Sequence, residues 1–208
     1  MTTATPLPVT HDGMKSTQKQ TRDTVRDAAF RLFGRHGYDG VSIDTIARAV
    51  GLSKGALYWH FDGKEALFRE CLEVLESLFE EHIIAPMQTT AAPRDQLYSF
   101  FQGVAALAED ERITDGIAGY WQEPYNSAVN RVFREQLGRQ EDRLRQLLQQ
   151  CLAALARERG ERSVADLETR SETLMTLMEA VLLPLRRRSP ATRRAIIEEL
   201  RETVLKAY

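Results

Sequence analysis

The stretch "SIDTIARAVGLSKGALYWHF" at 42–61 constrains the fold more tightly than any other part of the chain. Ser42 and Ser53 are each placed to accept a hydrogen bond from the first free amides of a helix. Gly51 between them permits a left-handed turn that a side chain would strain. The helix opened by Ser42 is therefore short, with Asp44 near its positive end and Ile46, Ala47 and Val50 facing inward. Leu52 plugs the turn, and Leu57 anchors the helix opened by Ser53. Two short helices joined by a glycine-containing turn make a helix-turn-helix unit. Ala47 supplies the small contact that a steep helix crossing needs.

What that unit exposes follows from the helical period. With Leu57 buried and about 100° per residue, Gly55 and Trp59 point away from the core, flanked by Ala56 and Tyr58, with Lys54 near the start. Gly55 lets a backbone approach a surface closely, and Ala56 can touch a thymine methyl. Tyr58 and His60 can donate to phosphate oxygens, and Lys64 adds charge at the start of a fourth helix, where the dipole already favours an anion. The competing reading of Tyr58, Trp59 and His60 is a cluster at a domain interface. Charge distribution favours the first. Residues 14–70 carry ten Lys/Arg against seven Asp/Glu, a net +3 in a chain whose total is −2, so the rest holds −5. A positive head on an acidic body fits a protein that meets a polyanion at one end.

The segment "SIDTIARAVGLSKGALYWHFDGKEALF", preceded by "RDAAFRLFGRHGYDGV", resembles the N-terminal DNA-binding domain of TetR-family transcriptional regulators over about residues 17–72, without a gap. The resemblance implies an all-α chain that binds double-stranded operator DNA as a homodimer on an inverted repeat. It also implies release by a small-molecule effector, with repression the family's usual mode; the alternatives are an activator, or a regulator without a small-molecule effector. It places Ser53, Lys54, Gly55, Ala56, Tyr58, Trp59, His60 and Lys64 at the DNA, and Ser42 at a phosphate. Relatives often carry a hydroxyl where Ala56 stands, so one polar contact is missing here.

Three regions are expected: a disordered tail over 1–15, the helix-turn-helix domain over 16–63, and a helical ligand-binding and dimerisation domain over 64–208, with about nine helices in all. A first helix runs from Thr17 to His36 and stops at Gly37. The fourth spans Lys64 to about Ile84, with Glu70, Glu73, Glu76, Glu80 and Glu81 on a solvated face. "APMQTTAAP" reads as a loop, and further helices cover about 94–109 and 127–159. Ser163 and Asp166 suggest a capping box for the next, which runs to Pro184. Ser189-Pro190 opens the last. Leu174, Met175, Leu177, Met178, Val181, Leu182 and Leu183 cover most of the penultimate helix, which predicts burial on two sides. Leu177 and Val181, with Ile197, Leu200 and Val204 of the last helix, are the candidate dimer interface; the competing reading is an intrachain core. Phe100, Phe101, Tyr120, Trp121, Tyr125, Phe133, Met175 and Met178 are candidates for an effector pocket. Glu123 and Glu179 are the polar outliers among them, and an interfacial arginine is the favoured partner for a buried carboxylate.

No Ser/His/Asp or Cys/His order, phosphate-cradling glycine loop or H-E-x-x-H occurs, so neither catalysis nor a cofactor or metal is expected. "EEH" at 80–82 reads as a solvated helix face. A helical protein-interaction module without DNA affinity leaves the aromatic face of 55–59 unexplained. The most apolar stretch, "LMTLMEAVLLPL", is too short to span a bilayer, and the N-terminal residues have no secretory pattern. Cys71 and Cys151 fall on apolar helical positions, as buried thiols of a cytoplasmic protein do.

Overall fold

The computed structural model describes residues 11–125, 127–160, 166–184 and 187–207. Among these are nine α-helical segments and no strand: α1 (His11–His36), α2 (Ile43–Ala49), α3 (Lys54–Tyr58), α4 (Lys64–Phe79), α5 (Ala85–Thr89), α6 (Pro93–Glu109), α7 (Ser127–Glu158), α8 (Leu167–Leu182) and α9 (Pro190–Ala207). A π turn, Glu80–Ile84, joins α4 to α5 without a break.

The punctuation of the N-terminal region is as the sequence implies. Gly37 ends α1 at φ 71°, its amide donating to the Phe33 carbonyl at 2.8 Å. The Ser42 hydroxyl accepts from the Thr45 amide at 3.0 Å, and that of Ser53 from the Ala56 amide at 3.1 Å. Gly51 takes φ 70° in the turn between α2 and α3. Val25, Ala29, Phe30, Phe33, Ile46, Ala47 and Leu57 form the core of this unit. However, α1 begins at His11 and so takes residues 11–15 out of the expected tail.

Three other boundaries differ from expectation. Residues 85–89 are helical rather than loop, because the π turn accommodates Pro86. In a regular α-helix that ring would collide with the carbonyl four residues back. Here the register slips, and the Ala85 amide donates to Glu80. Gly103 of α6 packs directly on this turn: a Cβ there would sit 3.0 Å from the His82 carbonyl carbon and closer still to its oxygen. Of Glu80–His82, expected on a solvated face, Glu81 is exposed, but all three are paired and His82 is largely shielded. His82 Nε2 lies 2.8 Å from Asp110 Oδ2, Arg143 pairs with Glu80 at 2.6 Å, and Arg112 with Glu81 at 2.9 Å. Glu70 is likewise paired, with Arg22. Finally, α8 starts at Leu167 after a left-handed Asp166 whose side chain makes no cap bond; Ser163 lies outside the described residues. At α9 the expected cap is present, Ser189 Oγ accepting from the Thr192 amide at 3.1 Å.

The body packs around α6, which touches α5, α7, α8, α9 and the π turn. An aromatic joint ties it to the N-terminal unit. Phe68 of α4 touches Phe33 edge-on (5.0 Å between centroids), Tyr38 (4.9 Å), Tyr120 (6.0 Å) and Phe133 (6.3 Å). The Tyr120 hydroxyl donates to the Phe30 carbonyl at 3.0 Å. Gly119 lets this segment lie against the end of α1, where an added Cβ would stand 2.6 Å from Gly37 N and 2.9 Å from Gly34 O. Tyr120 and Phe133, expected in a pocket, are therefore parts of the joint.

Candidate nucleic-acid interface and apolar cleft

The outer face of α3 matches the helical construction from the sequence. Trp59 is 91% exposed and Tyr58 50% exposed, while Leu57 is fully buried beneath them. An exposed pair of large aromatics is costly in water unless a partner covers it. Gly55 is open: an added Cβ would meet only the Ser53 hydroxyl, at 4.0 Å, so a flat surface can approach.

Two lysines are less free than their positions suggest. Lys54 Nζ bonds Asp44 Oδ2 at 3.0 Å, which raises its pKa, so a DNA acceptor must compete with that carboxylate. Lys64 follows a Gly63 cap at φ 94°, and its ammonium sits 3.9 Å from the Tyr38 ring centroid. Loss of solvent lowers its pKa, with Asp39 opposing. A half-desolvated cation beside a helix N-terminus is still a suitable phosphate partner. Ser42 and Ser53 are exposed, and both hydroxyls accept cap bonds.

A groove of about 620 Å³ adds residues that the sequence reading missed: Gln18, Lys19 and Arg22 of α1 line it with Ala56, Trp59 and His60. Arg22 locks the two elements together. Its Nε donates to the His60 carbonyl at 3.3 Å, and its guanidinium lies 4.9 Å from the Phe61 ring. The i, i+3 spacing of Lys19 and Arg22 is visible in the sequence; their approach to α3 is not.

The other pocket candidates separate into distinct places. Tyr125 is 93% exposed, its amide donating to Asp39 at 2.8 Å. Glu123 is an exposed partner of Arg134 at 2.6 Å. Phe100 and Phe101 meet Leu177, Met178, Val181, Ile197 and Leu200 around a gap of about 10 Å³, a packed core. This corrects the interface assignment of Val181 and Ile197, which are 3% and 5% exposed within the single chain. The outward face of α8 is Thr169, Glu172, Thr173, Thr176 and Ala180, so that helix is not apolar all round. Leu177, Leu200 and Val204 remain half-buried.

Trp121, Met175, Met178 and Glu179 do converge. With Phe79, Leu137, Gln140, Glu141 and Leu144 they line a cleft of about 290 Å³ counting its open mouth, of which only about 10 Å³ admits a water. Among the described residues no arginine pairs with Glu179. It faces Glu141, whose pKa is raised first by burial and then by Glu179.

Among the described residues no helix is long and apolar enough to cross a membrane, and no cluster of His, Cys, Asp or Glu could hold a metal. Both cysteines are free and buried, and burial pushes the Cys151 thiol up to about 11.

Comparison with known proteins agrees with this geometry. Residues 25–71 match the family model for bacterial regulatory proteins of the tetR family. The chain is 43% identical over 63 residues to the HTH-type transcriptional regulator AcrR of Shigella flexneri, covering 30% of this chain and 29% of that protein. It is 28% identical over 144 residues to a probable acrEF/envCD operon repressor of Escherichia coli K12, covering 66% and 64%. The matches thus span less than two thirds of these relatives' own length. AibR, crystallised with isovaleryl coenzyme A and operator DNA, superposes with a TM-score of 0.69 at 19% identity, covering 88% of this chain and 97% of that one. With a helix-turn-helix framed by serine caps and a helical body behind it, the chain is similar over residues 25–71 to bacterial regulatory proteins of the tetR family, and its fold is that of AibR.

Proposed function

We propose that the protein is a ligand-responsive transcriptional repressor that binds an inverted-repeat operator as a homodimer and releases it when a small molecule enters the body. The observation that carries this reading is the outer face of α3, where Tyr58 and Trp59 stand exposed at the end of a helix capped by Ser53 and braced by Arg22. Lys54 and Trp59 are placed to reach base edges; Tyr58, His60, Lys64 and Lys19 are placed to hold phosphates. The name of the Escherichia coli relative, an operon repressor, supports the repressive mode, and the AibR complex supports ligand and DNA on one such fold.

Dimerisation is assigned to the half-buried Leu177, Leu200 and Val204 of α8 and α9, whose remaining apolar surface a second copy would cover. Two-fold symmetry in the protein then demands it in the operator. Control passes through α4, because Lys64 lies at the DNA end while Phe79 lies in the cleft. Coupling cannot exceed the ligand's differential affinity for the two states, so a hundredfold release requires about 2.7 kcal/mol.

Gel retardation of the DNA upstream of its own reading frame, across salt, tests the reading. A dimer with about 6–10 phosphate contacts loses roughly 10³–10⁵ in affinity between 50 and 200 mM salt. Binding that is absent, or indifferent to salt, would exclude DNA as the partner.

A further inference from the structure

The cleft between α7 and α8 contains two carboxylates that the fold does not neutralise. Glu141 and Glu179 both line it, and neither has an ion pair or side-chain hydrogen bond among the described residues. The cation that acts on Glu141 is Arg145, which is already committed to Glu172 at 3.1 Å and Asp142 at 2.5 Å. Apart from Gln140, whose amide nitrogen donates to the Glu76 carbonyl at 3.5 Å, the rest of the lining is apolar or aromatic: Phe79, Trp121, Leu137, Leu144, Met175 and Met178. A third group is left open as well. The indole Nε1 of Trp121 is buried and has no hydrogen-bond partner. A lone buried donor and two facing carboxylates in one apolar crevice are each unfavourable without a compensating group.

We propose that this cleft takes an amphiphilic organic cation, with its positive charge between Glu141 and Glu179 and its apolar body against Trp121, Phe79 and the two methionines. A permanent or protonated amine, or a similar onium group, removes the carboxylate repulsion. Aromatic and thioether walls suit a diffuse cation better than a neutral or anionic molecule of the same shape. An acceptor atom on the ligand can also take the Trp121 N–H. The cleft is closed in this conformation, with room for about 10 Å³. Occupancy must therefore part Phe79, the last residue of α4, from Met175 and Met178 of α8, which moves the element that carries Lys64. This inference names the ligand class for the regulator reading above and rests on it.

The test uses two ions of nearly equal size and opposite charge, tetraphenylphosphonium and tetraphenylborate. In full-length protein carrying Trp59→Phe, Trp121 is the only tryptophan left and reports on the cleft directly. Saturable quenching by the cation is expected, at least about tenfold tighter than by the anion. Glu141→Gln and Glu179→Gln should each weaken the cation about tenfold, and the double variant should lose the preference. Equal affinity for the two ions, no saturable response to the cation, or unaltered affinity in the glutamine variants would overturn the proposal. Folding of the variants supplies a second readout. Glu141→Gln relieves repulsion and should raise the melting temperature without ligand, whereas a fall would make Glu141 a structural acceptor and overturn the assignment. Retardation by wild-type protein in the same series separates the two levels: intact DNA binding that the cation does not weaken counts against the ligand class, and absent DNA binding against the regulator reading itself.

Discussion

Gly119→Ala should damage this protein far more than an alanine substitution usually does. The new methyl carbon would lie 2.6 Å from Gly37 N, 2.9 Å from Gly34 O and nearer still to Phe33 O, all backbone atoms at the end of α1. None can rotate away as a side chain can, so the segment carrying Tyr120 must lift off the N-terminal unit. Overpacking of this kind costs roughly 1–3 kcal/mol, and a rigid backbone neighbour puts it near the upper figure. For a chain of this size each kcal/mol moves the melting point by about 2–4 °C, giving a drop of about 6–12 °C. Gly138→Ala is the matched control. It lies inside α7 with nothing within 4 Å of the added carbon, so alanine should stabilise by about 0.5–1 kcal/mol. Thermal unfolding followed by helical circular dichroism, at one fixed protein concentration because dimerisation shifts the midpoint, measures both. If Gly119→Ala melts within about a degree of the parent, or both variants shift in the same direction, the close approach of Gly119 to α1 is not what holds the joint.

Lys64→Ala should reduce the magnitude of the log–log salt slope for DNA binding by about 1, and an unchanged slope would take Lys64 away from the phosphates. Asp44→Asn frees Lys54 and removes a negative charge from the DNA-facing surface, so retardation should strengthen at low salt; weakened binding would assign Asp44 a structural role. Leu177→Asp places a charge on the proposed dimer surface and should yield monomers in size-exclusion chromatography, with a surviving dimer excluding that surface. Asp110 is held well below the ordinary carboxylate range, chiefly by its hydrogen bond from Arg112 and also by that from His82. Its contribution to stability is therefore present above about pH 3.9, the unfolded carboxylate value, and is lost as the pH falls below it. Asp110→Asn should flatten the acid limb of a denaturation-against-pH curve while lowering stability at neutral pH.

Local chemistry makes the N-terminal unit readable. Ser42, Ser53, Gly37 and Gly51 mark helix ends through their own hydrogen bonds and dihedral angles, and the period of α3 sets Trp59 opposite Leu57. What the sequence hides depends on crossings between distant elements. The pairing of Lys54 with Asp44 exists only once α2 and α3 pack together. Pro86 looks like a helix breaker, and only packing of Gly103 against His82 makes the π turn that absorbs it intelligible. Tyr120 shares the aromatic character of a pocket residue, yet its hydroxyl and ring are spent on the joint. Val181 and Ile197 are equally apolar on either reading, and only the position of α6 shows that they face their own chain. Glu141 does carry a signal in the sequence: it interrupts the stripe Leu137, Leu144, Leu148 on α7, a carboxylate where the period calls for an apolar residue.

The most direct test of DNA recognition by a symmetric dimer is a hydroxyl-radical footprint on the DNA upstream of the reading frame, with wild-type protein and with Trp59→Ala. Two protected patches related by a dyad are expected, their centres one or more helical turns apart, each over a major groove, and both lost or redistributed in the variant. A single asymmetric patch would contradict the dimer on an inverted repeat, and an identical footprint from Trp59→Ala would remove the exposed face of α3 from the DNA.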